Sequence, residues 1–60
     1  MPFVQIDLAE GRTVEQKREL AQKVTAVISE TVKCPPEAVS IVMRDQPRSN
    51  FAKAGKLLSD

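Results

Sequence analysis

The sequence predicts an α/β domain made of a single β-α-β unit followed by a short C-terminal hairpin or arm. Three observations predict it. An alternating apolar run opens the chain, a long segment with helical periodicity follows, and a second alternating run comes after a Pro-Pro break. Two strands joined across a helix of that length lie parallel, with a right-handed crossover.

The first strand is Phe3 to Leu8. Val4, Ile6 and Leu8 point one way, and Phe3, Gln5 and Asp7 the other, as in a strand with one face on a core. Ala9-Glu10-Gly11-Arg12 breaks the alternation, and Gly11 marks a turn. Thr13-Val14-Glu15-Gln16 has the spacing of a capping box, in which the Thr13 hydroxyl and the Gln16 side chain satisfy each other's backbone N–H.

The helix runs from about Val14 to Val32. Leu20, Ala21, Val24, Val27, Ile28 and Val32 form its apolar stripe, and Lys17, Arg18, Glu19, Gln22, Lys23, Ser29 and Glu30 are assigned mostly to a solvated opposite side. Pro35-Pro36 ends it, because proline lacks the N–H and disfavours helical geometry in the residue before it. In the second run, Ala38 to Arg44, Val39, Ile41 and Met43 share one face, and Ser40, Val42 and Arg44 the other. Gln46 to Asn50 reads as a turn or loop. Phe51 to Leu58 reads as a hairpin around Gly55 or as an arm on a neighbouring subunit.

Sixty residues make one domain, 1–60. A monomer of this length buries only about 60% of its unfolded surface. Cys34 is the only cysteine, which excludes an internal disulfide and leaves it as a small apolar side chain. One helix on a two-stranded sheet leaves a sheet face and two edges uncovered. Oligomerisation is therefore the expected source of further burial. Nine basic and eight acidic residues are interspersed, with a net charge of +1 and no basic run, so nucleic acid is not an expected partner. No apolar run has the length of a membrane span or a signal peptide, and the expected location is cytoplasmic. No metal-ligand set is recognisable.

The chain has no histidine, the residue that most often transfers protons near neutrality. Its second residue is proline, and a small residue behind an initiator Met favours removal of the Met. Pro2 would then carry a free secondary amine, a candidate general base. An α-amine titrates near pH ~8. An apolar wall and nearby cations lower that value toward neutrality, where a base works best. Val4, Phe3 and Phe51 are candidates for the wall, and arginine for the cation.

Pro2, Gln5-Ile6, Glu10-Gly11-Arg12-Thr13, Glu15-Gln16-Lys17, Val24, Ile28, Val39 and the Phe51 segment with Gly55 fall in an order and spacing that resembles the 4-oxalocrotonate tautomerase (2-hydroxymuconate tautomerase) family along essentially the whole chain. The resemblance implies a tautomerase-fold subunit that pairs into a four-stranded sheet, with dimers assembling into a homohexamer (a trimer of dimers). It also implies an isomerase without cofactor or metal. In such an enzyme the Pro2 amine moves a proton in 2-hydroxydienoates or enols of 2-oxo acids to give the keto form. Arg12 would bind the substrate carboxylate, and Phe51 would line the pocket.

Taken alone, Arg12 is a turn arginine and Phe51 a core or interface side chain. Pro2 and Arg12 flank a strand and lie ~25 Å or more apart, so a neighbouring subunit must supply the arginine. The sequence departs from the family at Ser40, where well-studied members carry a second arginine; Arg44 and Arg48 lie nearby in sequence. Two alternatives stand beside this reading. One is a hydratase or dehalogenase of small unsaturated acids that uses the same proline. The other is a non-catalytic small oligomeric protein.

Overall fold

The computed structural model describes residues 1–60. Its elements in order are β1 (Phe3–Ala9), α1 (Val14–Val32), a 3-10 turn (Pro36–Ala38), β2 (Ser40–Gln46), a second 3-10 turn (Arg48–Asn50), and the two-residue strands β3 (Ala52–Lys53) and β4 (Lys56–Leu57). β1 and β2 pair in parallel, from Phe3 opposite Ser40 to Ala9 opposite Gln46. The predicted β-α-β unit and C-terminal hairpin are both present.

The helix begins where its capping box places it. The Gln16 N–H donates to Thr13 Oγ1 at 3.1 Å, and the Thr13 N–H donates to Gln16 Oε1 at 3.0 Å. Its end falls at Val32 as expected, but a left-handed cap rather than Pro35-Pro36 terminates it. Val32 is the last helical residue, and the chain turns at Lys33, which adopts a left-handed conformation (φ 61°, ψ 53°). The Cys34 N–H then bonds back to the Ser29 carbonyl, and Ser29 Oγ donates to the Cys34 carbonyl at 2.5 Å. These bonds satisfy carbonyls at the helix end before Pro35 is reached. The second strand also starts later than predicted, at Ser40, because Pro36–Ala38 forms a 3-10 turn.

One sheet face carries Val4, Ile6 and Leu8 with Ile41 and Met43, all partly covered by α1. Four side-chain assignments on α1 are corrected. Val27 and Val32, expected in the buried stripe, are 63% and 55% exposed. Lys17, expected on the solvated side, is only 27% exposed at its side chain and reaches Asp45 at the end of β2. Ser29, also assigned to the solvated side, is partly buried. Helix geometry explains them. At 100° per residue Lys17 lies roughly 20° from Ile28 around the axis, whereas Val27 lies roughly 100° away. A helix of nineteen residues spans about 28 Å and seven strand residues about 23 Å, so the helix overhangs the sheet and Val32 has nothing beneath it.

The second sheet face carries Phe3, Gln5, Asp7, Ser40, Val42 and Arg44, and all six are exposed. There the cross-strand neighbours Asp7 and Arg44 form a two-point ion pair, with Nε to Oδ1 at 2.9 Å and Nη2 to Oδ2 at 3.2 Å. Gln46 Nε2 donates to the same Oδ1 at 3.0 Å.

The hairpin turns through Ala54 (φ 54°) and Gly55 (φ 79°). Two successive positive φ values are the signature of the two-residue turn that matches strand twist.

No residue of the isolated subunit is buried. Its radius of gyration is 14.3 Å and its accessible area 4659 Å². A compact chain of this length would have a radius of about 10 Å and an area of about 3,900 Å². The subunit is an elongated plate, 43 × 23 × 13 Å, with both broad faces in contact with solvent.

Candidate active site

Pro2 immediately precedes β1, and its carbonyl accepts a hydrogen bond from the Ser40 N–H at 3.1 Å. It is partly buried, while Met1 ahead of it is 97% exposed. Ser40 pairs with Phe3, so its hydroxyl lies on the open sheet face, next along the strand from Pro2. No arginine occupies this end of the sheet.

Arg12 is at the other end. The Glu10 N–H extends the β1–β2 pairing to the Gln46 carbonyl at 3.0 Å. The chain then turns at Gly11, whose φ of 114° disfavours a side chain, and Arg12 leads into the helix cap. The Arg12 guanidinium makes no ion pair. Together with Leu8, Gln16, Lys17 and Leu20 it lines a cleft of about 290 Å³. This volume lies at the small end of the range for ligand sites, about 300–1,000 Å³.

Phe51 follows the second 3-10 turn and is 41% exposed. Its carbonyl accepts from the Leu58 N–H at 2.8 Å, which fixes it at the base of the hairpin. The turn before it is tied to the Arg12 end of the sheet by the Arg48 N–H, which donates to Glu10 Oε1 at 3.3 Å. One subunit therefore carries Arg12 and Phe51 toward one end and Pro2 toward the other, separated by the length of β1, about 23 Å.

Of the two arginines near Ser40 in sequence, Arg44 is committed. Its guanidinium is closed by Asp7 on the open face. Asp7 in turn has its carboxyl pKa held below the usual 3.8 by hydrogen bonds from Gln46 and Arg44 and by the charge of Arg44. Arg48 makes no ion pair.

Sequence reasoning read Gln16 as a capping residue and Lys17 as a solvated charge, and placed neither in a site. The available signal was positional, since Lys17 is a charged residue within the apolar stripe, one turn before Leu20 and Ala21. No cluster of three His, Cys, Asp or Glu side chains is gathered anywhere in the chain. No helix is long and apolar enough to cross a membrane.

The family model for tautomerase enzymes matches residues 2–60. A probable tautomerase of Bacillus cereus is 45% identical over 60 residues, covering 100% of this chain and 98% of the relative. The crystal structure of YwhB, a homologue of 4-oxalocrotonate tautomerase, superposes with a TM-score of 0.94 at 41% identity, covering 98% of this chain and 97% of that one. A heterohexamer 4-oxalocrotonate tautomerase from Chloroflexus aurantiacus matches with a TM-score of 0.95 at 27% identity, covering 100% and 97%. A structure described for trans-3-chloroacrylic acid dehalogenase activity matches with a TM-score of 0.84 at 39% identity, covering 93% and 97%. With its β-α-β fold and a match spanning nearly every residue, the chain belongs to the tautomerase family.

Proposed function

We propose that the protein is a cofactor-independent isomerase that converts 2-hydroxydienoates, or enols of 2-oxo acids resembling 2-hydroxymuconate, to their keto forms. Removal of the exposed Met1 frees the Pro2 secondary amine. The amine lone pair takes the enol hydroxyl proton, the oxygen electrons form the carbonyl, and the conjugated double bonds shift. The prolinium then returns its proton to the carbon at the end of the conjugated system. Atoms and electrons balance without an oxidant or a metal. Arg12 pairs with the substrate carboxylate through two parallel N–H···O bonds and draws electron density away from the base. Phe51 contributes apolar wall.

The observation that carries this reading is the separation of Pro2 and Arg12 along β1 in a subunit with no buried residue. A working site then takes Pro2 from one subunit and Arg12 from another. The proposed assembly is a homohexamer, a trimer of dimers, in the cytoplasm; a relative of the same fold is described as a heterohexamer.

The test is the ultraviolet rate of ketonisation of 2-hydroxymuconate by Met-free protein, set against the same protein acetylated at its N-terminus. A fast rate abolished by acetylation is expected. Equal rates in the two samples would overturn Pro2 as the base. The dehalogenase neighbour favours a second reading, in which a protonated Pro2 serves as an acid in hydration or dehalogenation of an unsaturated acid. Halide release from 3-chloroacrylate with no ketonisation would select it.

A further inference from the structure

We infer that Lys17 is a substrate-binding residue that fixes the carboxylate alongside Arg12, and that Asp45 weakens this grip. The cleft at the Arg12 end is lined by two apolar residues, Leu8 and Leu20, and three polar ones, Arg12, Gln16 and Lys17. That is the composition of a pocket for a small organic acid, an apolar lining with a few polar donors. Two of the donors, Gln16 and Lys17, are held in place. Gln16 accepts the Thr13 N–H at its Oε1, which fixes the carboxamide plane and leaves Nε2 unbonded. Lys17 Nζ is anchored 2.7 Å from Asp45 Oδ2. An ammonium carries three donors, so two remain for a ligand after Asp45 takes one. The first turn of α1 lies against the cleft and adds the positive end of its dipole.

The charges specify the ligand. Arg12 and Lys17 are positive, Asp45 is negative, and one positive charge is left uncompensated. The cleft therefore suits a single carboxylate group rather than two. At the opposite end of the sheet, Ser40 offers a hydroxyl without charge. The cleft would hold one carboxylate of the 2-oxo acid or enol, and a second carboxylate, as in 2-hydroxymuconate, would meet no cation at the Ser40 end. The inference rests on the proposed reading for the acid's reactive group. Its carboxylate recognition can be measured independently of any chemistry.

The sign of two substitutions separates ligand binding from a purely structural ion pair. Lys17→Met and Asp45→Asn both break the pair, so a structural role moves both in the same direction. A binding role moves them oppositely. The probe is pyruvate, titrated by NMR into protein acetylated at its N-terminus so that no amine reacts with the ketone. We expect Lys17→Met to weaken pyruvate binding about tenfold, as for loss of a hydrogen bond to a charged group. Asp45→Asn should tighten it about threefold, and Lys17→Arg should stay close to wild type. Folding of each variant is checked by circular dichroism. In ketonisation assays of the unblocked protein the same changes should fall on KM and leave kcat unchanged. Shifts of the same sign, no shift in either variant, or no binding by wild type would each overturn the inference. Opposite shifts in a protein without ketonisation activity would leave the cleft standing and remove only the Pro2 chemistry.

Discussion

Dilution is the perturbation that most directly tests the incompleteness of the subunit. The isolated plate exposes 4659 Å², roughly 800 Å² more than a compact chain of its length. That excess equals what one partner contributes to a stable interface of standard size. Phe3 at 64% and Val42 at 41% exposure on the open sheet face, and Val27 at 63% on α1, are exposed apolar side chains that a partner could cover. If folding is coupled to assembly, stability depends on protein concentration by mass action. Tenfold dilution of a hexamer then lowers stability by about 1.1 kcal/mol per subunit, and of a dimer by about 0.7. With a urea dependence of about 1 kcal/mol per molar, the midpoint of a hexamer falls by about 1 M for each tenfold dilution. The assay is urea unfolding followed by circular dichroism at about 1 µM and about 100 µM protein, with sedimentation velocity on the same samples. A single midpoint at both concentrations, with a monomeric sedimentation coefficient, would refute the argument that this chain requires partners.

Other predictions concern the subunit itself. Thr13→Ala removes one half of the capping box and should cost about 1 kcal/mol, read as a lower urea midpoint with the slope unchanged. Gly55→Val places a branched side chain at φ 79° and should cost about 1–2 kcal/mol, measured in the same way. The depressed pKa of Asp7 means that the folded chain binds its proton less readily than the unfolded chain does. Its stabilising contribution is therefore present above the usual value of 3.8 and is lost as pH falls through that value toward the lower folded one. Asp7→Asn should flatten the loss of stability between pH 5 and pH 3 in urea midpoints; an unchanged acid limb would show that the pair with Arg44 is not formed.

Much of the fold was legible because its signals are local. The alternation of Val4, Ile6 and Leu8, the Thr13–Gln16 box and the helical spacing of Leu20, Val24 and Ile28 each follow from a few neighbouring residues, and each appears where expected. Features that depend on registry were not legible. The sequence places Asp7 and Arg44 on the outer faces of their strands, but only the pairing of Phe3 with Ser40 sets them opposite each other. That registry decides that Arg44 is spoken for. Lys17 was misread because a charged residue is by default assigned to solvent, whereas its angular position puts it over the end of the sheet beside Asp45. Of the candidate residues Pro2, Arg12 and Phe51, the sequence indicated the separation of Pro2 and Arg12 by the first strand, which the structure shows. The Arg12 cleft was not legible, since it is formed by the first turn of α1 folding back over Leu8.

The distance between Pro2 and Arg12 along β1 has a genetic consequence. If every site draws these two residues from different chains, a mutation in one copy of the gene is felt at sites built partly from the other copy. Two inactive proteins, one lacking the amine and the other lacking the guanidinium, should restore activity when unfolded together and reassembled. Random mixing in equal parts places both intact groups together at roughly a quarter of the sites. Each chain would then contribute part of a site rather than encode it whole.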